Sequence, residues 1–292
     1  MDARTTALSA LIATRRQNAW SDGVLKEYIL RDRLDSRDAA LASRLCYGVL
    51  QNRMLLDFYI EHFLNGKLRD LQPVVLDILR LGAFQLVFLD KIPASAAVNE
   101  AVEQCKTYAN RRAAGLVNGV LRAMARIREA LPEPPDLATR YSHPQALVEL
   151  LQESLGAEML EAFLRADNEI TPTILHANPL CADAQRVYDE LTEQGVTLTP
   201  HPWMPDCWLA QGTGNLERLD AFREGRVYVQ DPAAHLAAMA AGVQPGMTVL
   251  DACAAPGGKS FAAGLFRQMI PPLCGDRGGG GRSTAGIGEP AM

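Results

Sequence analysis

The chain lacks any pair of cysteines in C-x-x-C spacing. Its six cysteines stand at 46, 105, 181, 207, 253 and 274, and no histidine lies near enough in sequence to complete a zinc pattern, so no metal site is expected. No apolar run reaches the ~18 residues of a membrane span. The start carries Asp2, Arg4, Arg15 and Arg16 and lacks the apolar segment of a secretory signal. Together these absences exclude a membrane partner and point to a reduced cytoplasmic setting with free, mostly buried thiols. Strand-like alternation is absent from residues 3–130. The last stretch lacks apolar segments altogether: residues 271–292 hold seven Gly and three Pro, a composition that forms no strand and buries little.

What is present divides by charge. Residues 1–140 carry 20 Lys+Arg against 16 Asp+Glu, and residues 141–292 carry 9 against 18. A basic first half on a chain of net charge −5 hints at a polyanion partner, with a solvated surface as the alternative. The length suits two domains or three small ones, and 48% hydrophobic residues supply real cores.

Residues 1–130 read as an all-α domain. Leu8, Leu11 and Ile12 open one apolar face. Ser36 is the expected N-cap of a helix whose inner side is Leu41, Leu45 and Val49. Pro73 suits a first helical turn ahead of Val74, Val75, Ile78 and Leu79, and Ile92-Pro93 stops that helix. Ser95 is the expected cap of the next, with Val98, Val102 and Cys105 buried. A last helix sets Leu116, Val117, Val120, Leu121 and Met124 on one side. Opposite them runs a polar stripe, Asn118, Arg122 and Arg126, with Arg111 and Arg112 near the helix start. Guanidinium forks suit phosphate oxygens, so this stripe is the candidate RNA-facing ridge; a plain solvated face is the other reading.

Residues 131–144 form a Pro-rich linker, with His143 as a turn residue. Residues 145–224 read as a small α/β unit. Its helices are carried by Leu147, Leu150, Leu151, Leu155, Met159, Leu160, Phe163 and Leu164. Its strands are expected near Thr171 to Asn178, Val196 to Thr199 and Trp208 to Gln211, with a helix from Ala182 to Gln194 ended by Gly195. Trp203 and Trp208 flank Pro205 in an expected loop, with core packing favoured over base stacking. Gly225 to Pro232, read as a strand, and Ala233 to Ala241, read as an Ala-rich helix, then lead to Met247 to Leu250.

The most informative stretch is Val249-Leu250-Asp251-Ala252-Cys253-Ala254-Ala255-Pro256-Gly257-Gly258-Lys259-Ser260. It reads as strand, tight loop and helix start. Paired glycines let a ligand approach the backbone, and a helix N-terminus offers unpaired N–H groups at its positive end. One reading is a phosphate loop: Gly258-Lys259-Ser260 fits its end, but the opening glycine falls on Cys253.

The run Asp251 to Lys259 resembles the S-adenosylmethionine loop of RNA cytosine-C5 methyltransferases. Leu79-Arg80-Leu81-Gly82-Ala83-Phe84-Gln85-Leu86, Ile92 to Val102 and Gly115 to Arg122 resemble the RNA-binding domain of the antitermination factor NusB. They are most similar to the version fused to bacterial 16S ribosomal RNA cytosine-C5 methyltransferases, the Sun/Fmu family. The resemblance implies a multi-domain α and α/β chain: a NusB-like domain, a small middle domain, and at 225–264 the first strand-loop-helix of a Rossmann-like methyltransferase domain. It assigns the cofactor contact to Cys253, Ala254, Ala255, Pro256, Gly257, Gly258 and Lys259, and implies 16S ribosomal RNA as partner to a monomer. An RNA-binding or antitermination module, and a phosphate-loop nucleotide-binding protein, are the competing readings. At His176 the family often carries arginine.

The family sheet calls for roughly six further strands, well over a hundred residues, and 32 residues follow Ser260. The family's catalytic thiols stand in Pro-Cys and Thr-Cys contexts. Cys274 follows Leu273, Cys253 belongs to the loop, and Asp276 is not preceded by an apolar strand, so no catalytic residue is assigned. A truncated or frameshifted, inactive copy with an aberrant tail at 265–292 is expected.

Overall fold

The computed structural model describes residues 1–17, 19–169, 171–244 and 246–266 and the pair 274–275. It resolves into two compact units, residues 1–169 and 170–292.

The first unit is helical: α1 (Ala3–Gln17), α2 (Ser21–Asp32), α3 (Ser36–Gln51), α4 (Arg53–Phe63), α5 (Pro73–Phe88), α6 (Ala94–Tyr108), α7 (Arg111–Arg126), α8 (Leu137–Tyr141), α9 (Gln145–Leu155) and α10 (Ala157–Asp167). Helix α5 is its axis. Val75, Ile78, Leu79, Leu81, Ala83, Phe84 and Leu86 are all buried, so this helix is apolar on nearly every side, the mark of a central helix. It seats its neighbours at two glycines. The ring of Phe84 fills the space where Gly48 of α3 has no side chain, and Leu121 of α7 fills the space at Gly82.

One charge enters this core. Asp77, 5% exposed, takes Arg15 of α1 at 3.0 Å and Arg80 of its own helix at 3.5 Å. Arg80 in turn grips Asp57 of α4 with two contacts of 2.7 Å. Burial still holds the Asp77 carboxyl above its usual range, against the pull of both arginines.

Two expected caps move by a residue or more. The N-cap of α3 is Asp35, whose carboxylate accepts from Asp38 N–H at 2.8 Å, and Ser36 is already helical. A carboxylate one position earlier reaches the same orphan donor. Helix α6 has Pro93 at its cap with no side-chain bond, and Ser95 lies inside the first turn. Pro73 does open α5. In α6, Val98 and Cys105 are buried and Val102 is half-buried. The stretch 131–144 holds α8, capped by Asp136 onto Thr139 N–H at 2.7 Å. His143 is a buried tie: Nδ1–H donates to the Tyr141 carbonyl at 2.7 Å, and Nε2 lies 2.9 Å from Asp167. Of the apolar stripe on α9 and α10, Leu160 and Leu164 are buried, whereas Leu147, Leu150, Leu155, Met159 and Phe163 are exposed. Helical periodicity located the face but not what covers it.

The second unit contains β1 (Thr173–Ala177), α11 (Ala184–Glu193), β2 (Thr197–Pro200), β3 (Cys207–Gln211), α12 (Asp220–Arg223), β4 (Val227–Val229), α13 (Pro232–Ala240), β5 (Leu250–Asp251), α14 (Gly258–Phe266) and β6 (Cys274–Gly275). Four strands form an antiparallel sheet in the order β2-β3-β1-β4, with Leu175 opposite Trp208 and His176 opposite Tyr228. Val187 and Leu191 of α11 pack on Leu175, Ala177, Trp208 and Ala210. Arg226 clasps Glu190 of α11 through both guanidinium NH groups, joining helix to sheet edge.

The tryptophans separate. Trp208 is core at 6% exposure, while Trp203 is 56% exposed and edge-on to His201 at 4.4 Å. Strand β5 is two residues rather than the expected four, and it pairs in parallel with Cys274–Gly275. That short pairing departs from the expectation of no strand beyond 270. The rest of the 265–292 expectation, Asp276 included, lies outside the described residues after Phe266. The helix behind the loop begins at Gly258.

Gly48→Ala is expected to lower stability. A Cβ there would stand 2.0–2.6 Å from the Phe84 ring, and overpacking of this kind costs about 1–3 kcal/mol. Thermal denaturation followed by circular dichroism checks it, with a drop of several degrees expected.

Candidate functional site

The loop after β5 is held at both ends by one side chain. Asp251 Oδ1 accepts from Cys253 N–H at 2.9 Å, and Oδ2 accepts from the Ser260 hydroxyl at 2.6 Å. A strand end and the first turn of a helix are thereby joined through a single carboxylate. Between them, Ala252, Cys253, Ala255 and Pro256 are exposed. Gly257 has φ = 119°, a region closed to side chains. Phe261 N–H bonds the Gly257 carbonyl at 2.8 Å, so α14 starts directly behind the turn and its first amides have no intrahelical acceptor.

A cleft of about 240 Å³ runs along this loop. Asp251, Cys253, Lys259 and Ser260 form one wall; Ala237 and Val243, from and after α13, form the other. All seven residues of the expected cofactor set, Cys253 through Lys259, lie on this one loop and helix start. The Ser260 hydroxyl, which a phosphate loop would turn toward a cation, is committed to Asp251.

Behind the loop is a group of residues that sequence reading did not collect. His176 Nε2–H donates to the Gln230 carbonyl at 3.1 Å and lies 3.7 Å from the Cys207 sulfur. Its ring stacks on His235 at 4.6 Å and on Tyr228 at 5.1 Å. Tyr228 meets Phe261 of α14 edge-on at 4.9 Å. Burial, with His235 and His201 nearby, pushes His176 down to about 4. The same burial pushes the Cys207 thiol up to about 11 and the Tyr228 hydroxyl up to about 12. His176 is 3% exposed, so it is a packing residue and not a surface contact for a polyanion. Only the stacking partners could have signalled this, and they are separated in sequence. The larger cavity of this unit, about 720 Å³, is lined by His176, Trp203, Tyr228 and Met239 and includes none of the loop residues.

On α7, Asn110 caps the helix by accepting from Ala113 N–H at 2.8 Å. Val117, Val120, Leu121 and Met124 face the core. Arg111, Arg112, Arg122 and Arg126 are exposed and Asn118 is half-buried. Among the described residues no carboxylate pairs with these four guanidinium groups. In contrast, Arg15, Arg31, Arg80, Arg140 and Arg226 are all paired. Gly115 and Gly119 leave open space on the same helix.

Comparison with known proteins adds sequence-wide support. Residues 1–126 match the NusB family, and residues 143–215 match the Methyltr_RsmF/B-like, ferredoxin-like domain. The chain is 36% identical over 265 residues to the Bacillus subtilis protein named "Probable ribosomal RNA small subunit methyltransferase B", covering 88% of this chain and 58% of that one. It belongs to the ribosomal RNA small subunit methyltransferase B (Sun/Fmu) family. The Vibrio cholerae member is 37% identical over 227 residues, covering 77% of this chain and 52% of its own length. The chain thus spans little more than half the length of these relatives. A solved structure, the crystal structure of PH0851, superposes with a TM-score of 0.65 at 24% identity, over 89% of this chain and 60% of that one, and supports the fold. The ferredoxin-like match takes in α9–α10 and three of the four strands of the sheet, β1 to β3, so it runs across the division between the compact units at 169/170. Among the described residues no helix is long and apolar enough to cross a membrane, and no group of three His, Cys, Asp or Glu is placed to hold a metal.

The buried His176 carries a pH dependence. Its folded value near 4 lies below its ordinary 6.5, so the unfolded chain binds the proton first as pH falls. Stability of the second unit is therefore full above pH 6.5 and declines between 6.5 and 4, by up to about 3 kcal/mol. Thermal melts across that range check it; His176→Phe, which keeps a ring in the stack, flattens the slope.

Proposed function

We propose that this chain carries the RNA-holding arm and the cofactor loop of an S-adenosylmethionine-dependent methyltransferase that modifies C5 of a cytosine in 16S ribosomal RNA. The observation that carries the reading is the clamped Asp251–Ser260 turn on a chain of this family. In it, Cys253 and Lys259 line the cleft, and the glycine turn at 257–258 joins them ahead of the helix N-terminus. These features fit the group: Gly257 admits close approach, the free amides of α14 suit carboxylate and hydroxyl oxygens, and the apolar wall of α13 suits an adenine face. Cys253 to Lys259 would hold the cofactor, which when bound supplies an electrophilic methyl group. Lys259 closes one side of the cleft, and Asp251 keeps the loop in shape.

The arm reading rests on the exposed, unpaired arginines. Arg111, Arg112, Arg122 and Arg126, with Asn118 between them, offer guanidinium forks to phosphate oxygens, and bare glycines on the same helix let a backbone come close. Contacts of this kind position an RNA without reading its bases.

Cytosine C5 becomes nucleophilic when a thiolate adds to C6. None of the six cysteines stands in the family's Pro-Cys or Thr-Cys context. Cys46 and Cys207 are buried, with thiols pushed up to about 12 and about 11, so neither is a nucleophile. Cys253 is exposed but belongs to the loop. The 292 residues as they stand are proposed to bind without turnover.

Three measurements test these assignments. Isothermal titration of the full chain with S-adenosylhomocysteine is expected to show saturable binding that Gly257→Val abolishes. Magnesium-ATP binding in its place would favour the phosphate-loop reading. Methyl transfer to unmodified 16S RNA by this chain would reject the no-turnover claim. Separately, Arg122→Glu with Arg126→Glu is expected to weaken binding of a 16S RNA fragment uniformly across sequences. The slope of log affinity against log salt should fall by about 2, roughly one for each lost phosphate contact. Filter binding across a salt series checks it.

A further inference from the structure

Gln230 sits between the two halves of the second unit's machinery, and nothing above gives it a role. It is 6% exposed. Its backbone carbonyl accepts from His176, and its side-chain Oε1 accepts from His235 Nδ1–H at 3.1 Å. Those bonds fix the direction of the carboxamide. Its other end, Nε2, points at the start of α14: a Cβ built on Gly258 would meet Nε2 at 3.5 Å as its nearest neighbour. Nε2 is buried and has no hydrogen-bond partner among the described residues. A buried, unsatisfied N–H costs on the order of 1–3 kcal/mol, and such groups call for a specific explanation. Here the orphan donor faces the candidate ligand loop.

We infer that Gln230 is a positioning residue for binding of an adenosyl thioether or sulfonium at this loop: its Nε2–H gains an acceptor in the loaded state, when a backbone carbonyl of residues 254–256 turns onto it. The inference rests on the cofactor-loop reading. The surroundings fit it. His235 and His176 anchor the carboxamide from behind, and Tyr228 against Phe261 keeps α14 at a fixed distance. Residues 252–256 of the loop are largely exposed, and the loop is pinned at its ends by Asp251 and by the Gly257 carbonyl that accepts from Phe261 N–H. Loop residues are free to adjust while Gln230 is not. The free loop leaves the donor unsatisfied, so binding that satisfies it gains affinity from a cost already present in the empty protein.

The test uses the full chain and S-adenosylhomocysteine. Gln230→Glu keeps the shape and the acceptor toward His235 but removes the donor. Gln230→Met keeps the shape and removes both. Both variants are expected to bind roughly five- to twenty-fold more weakly than wild type, the loss of one buried hydrogen bond, while the melting temperature of Gln230→Glu stays close to wild type. In the wild-type chain, the Gln230 side-chain amide resonance, identified by its absence from Gln230→Glu, is expected to shift downfield and saturate with ligand. A purely structural glutamine would not show that shift, and the measurement stands even where a variant folds poorly. Wild-type binding with Gln230→Met within two-fold of it, or an amide resonance unmoved at saturation, overturns the inference and leaves the loop reading intact. Failure of the wild-type chain to bind overturns both.

Discussion

The carboxylate of Asp251 is the constraint on which the candidate site rests. One side chain accepts from a backbone amide at the head of the loop and from a hydroxyl in the first turn of α14. The residues between then have fixed ends and few contacts of their own, which suits a surface meant to receive something. Charge-assisted hydrogen bonds are stronger than neutral ones. Two of them on one carboxylate hold a short strand against a helix start where β5 itself contributes only two residues of pairing. The group behind this turn, from His176 through Gln230 and His235 to Phe261, supplies the rigid backing.

Charge in the first unit is used in two different ways. Arg80 is spent inside, on Asp77 and Asp57, and Arg15 reaches Asp77 from the exposed rim. A buried pair of this kind is weak support for net stability, because desolvation offsets much of the attraction, but it fixes the relative placement of α1, α4 and α5. Among the described residues the arginines of α7 have no such partners and face water. The same residue type thus orders helices in one place and stands ready for anionic oxygens in another, and the difference lies in where acidic side chains were placed.

Much of this was legible in the sequence because the informative residues are contiguous or periodic. The run from Asp251 to Ser260 announces strand, turn and helix without any long-range contact, and the face of α7 follows from spacing alone. The caps of α3 and α6 lie upstream of the expected residues for different reasons: Asp35 outreaches Ser36 for the same orphan amide, whereas α6 starts after Pro93 with no side-chain cap. The exposure of Leu150, Met159 and Phe163 was not legible, since periodicity reports that a face is apolar and not that anything covers it. Trp203 and Trp208 look alike in sequence, yet strand pairing buries one and a loop exposes the other. Gln230 was invisible because its role is set by His176, His235 and Gly258, which only the fold brings to it. The family assignment came from ordered stretches of sequence, not from charge or composition.

The seating of Phe84 at Gly48 and of Leu121 at Gly82 has a kinetic side. Interlocks without slack cannot loosen one helix at a time, because withdrawing either ring or methyl group opens a void that its neighbours are too closely packed to fill. The amides of α3, α5 and the inner face of α7 should therefore exchange with solvent as one cooperative block, in a single slow class. The arginine-bearing helix would then share the lifetime of the deepest part of the protein, although half of it faces water.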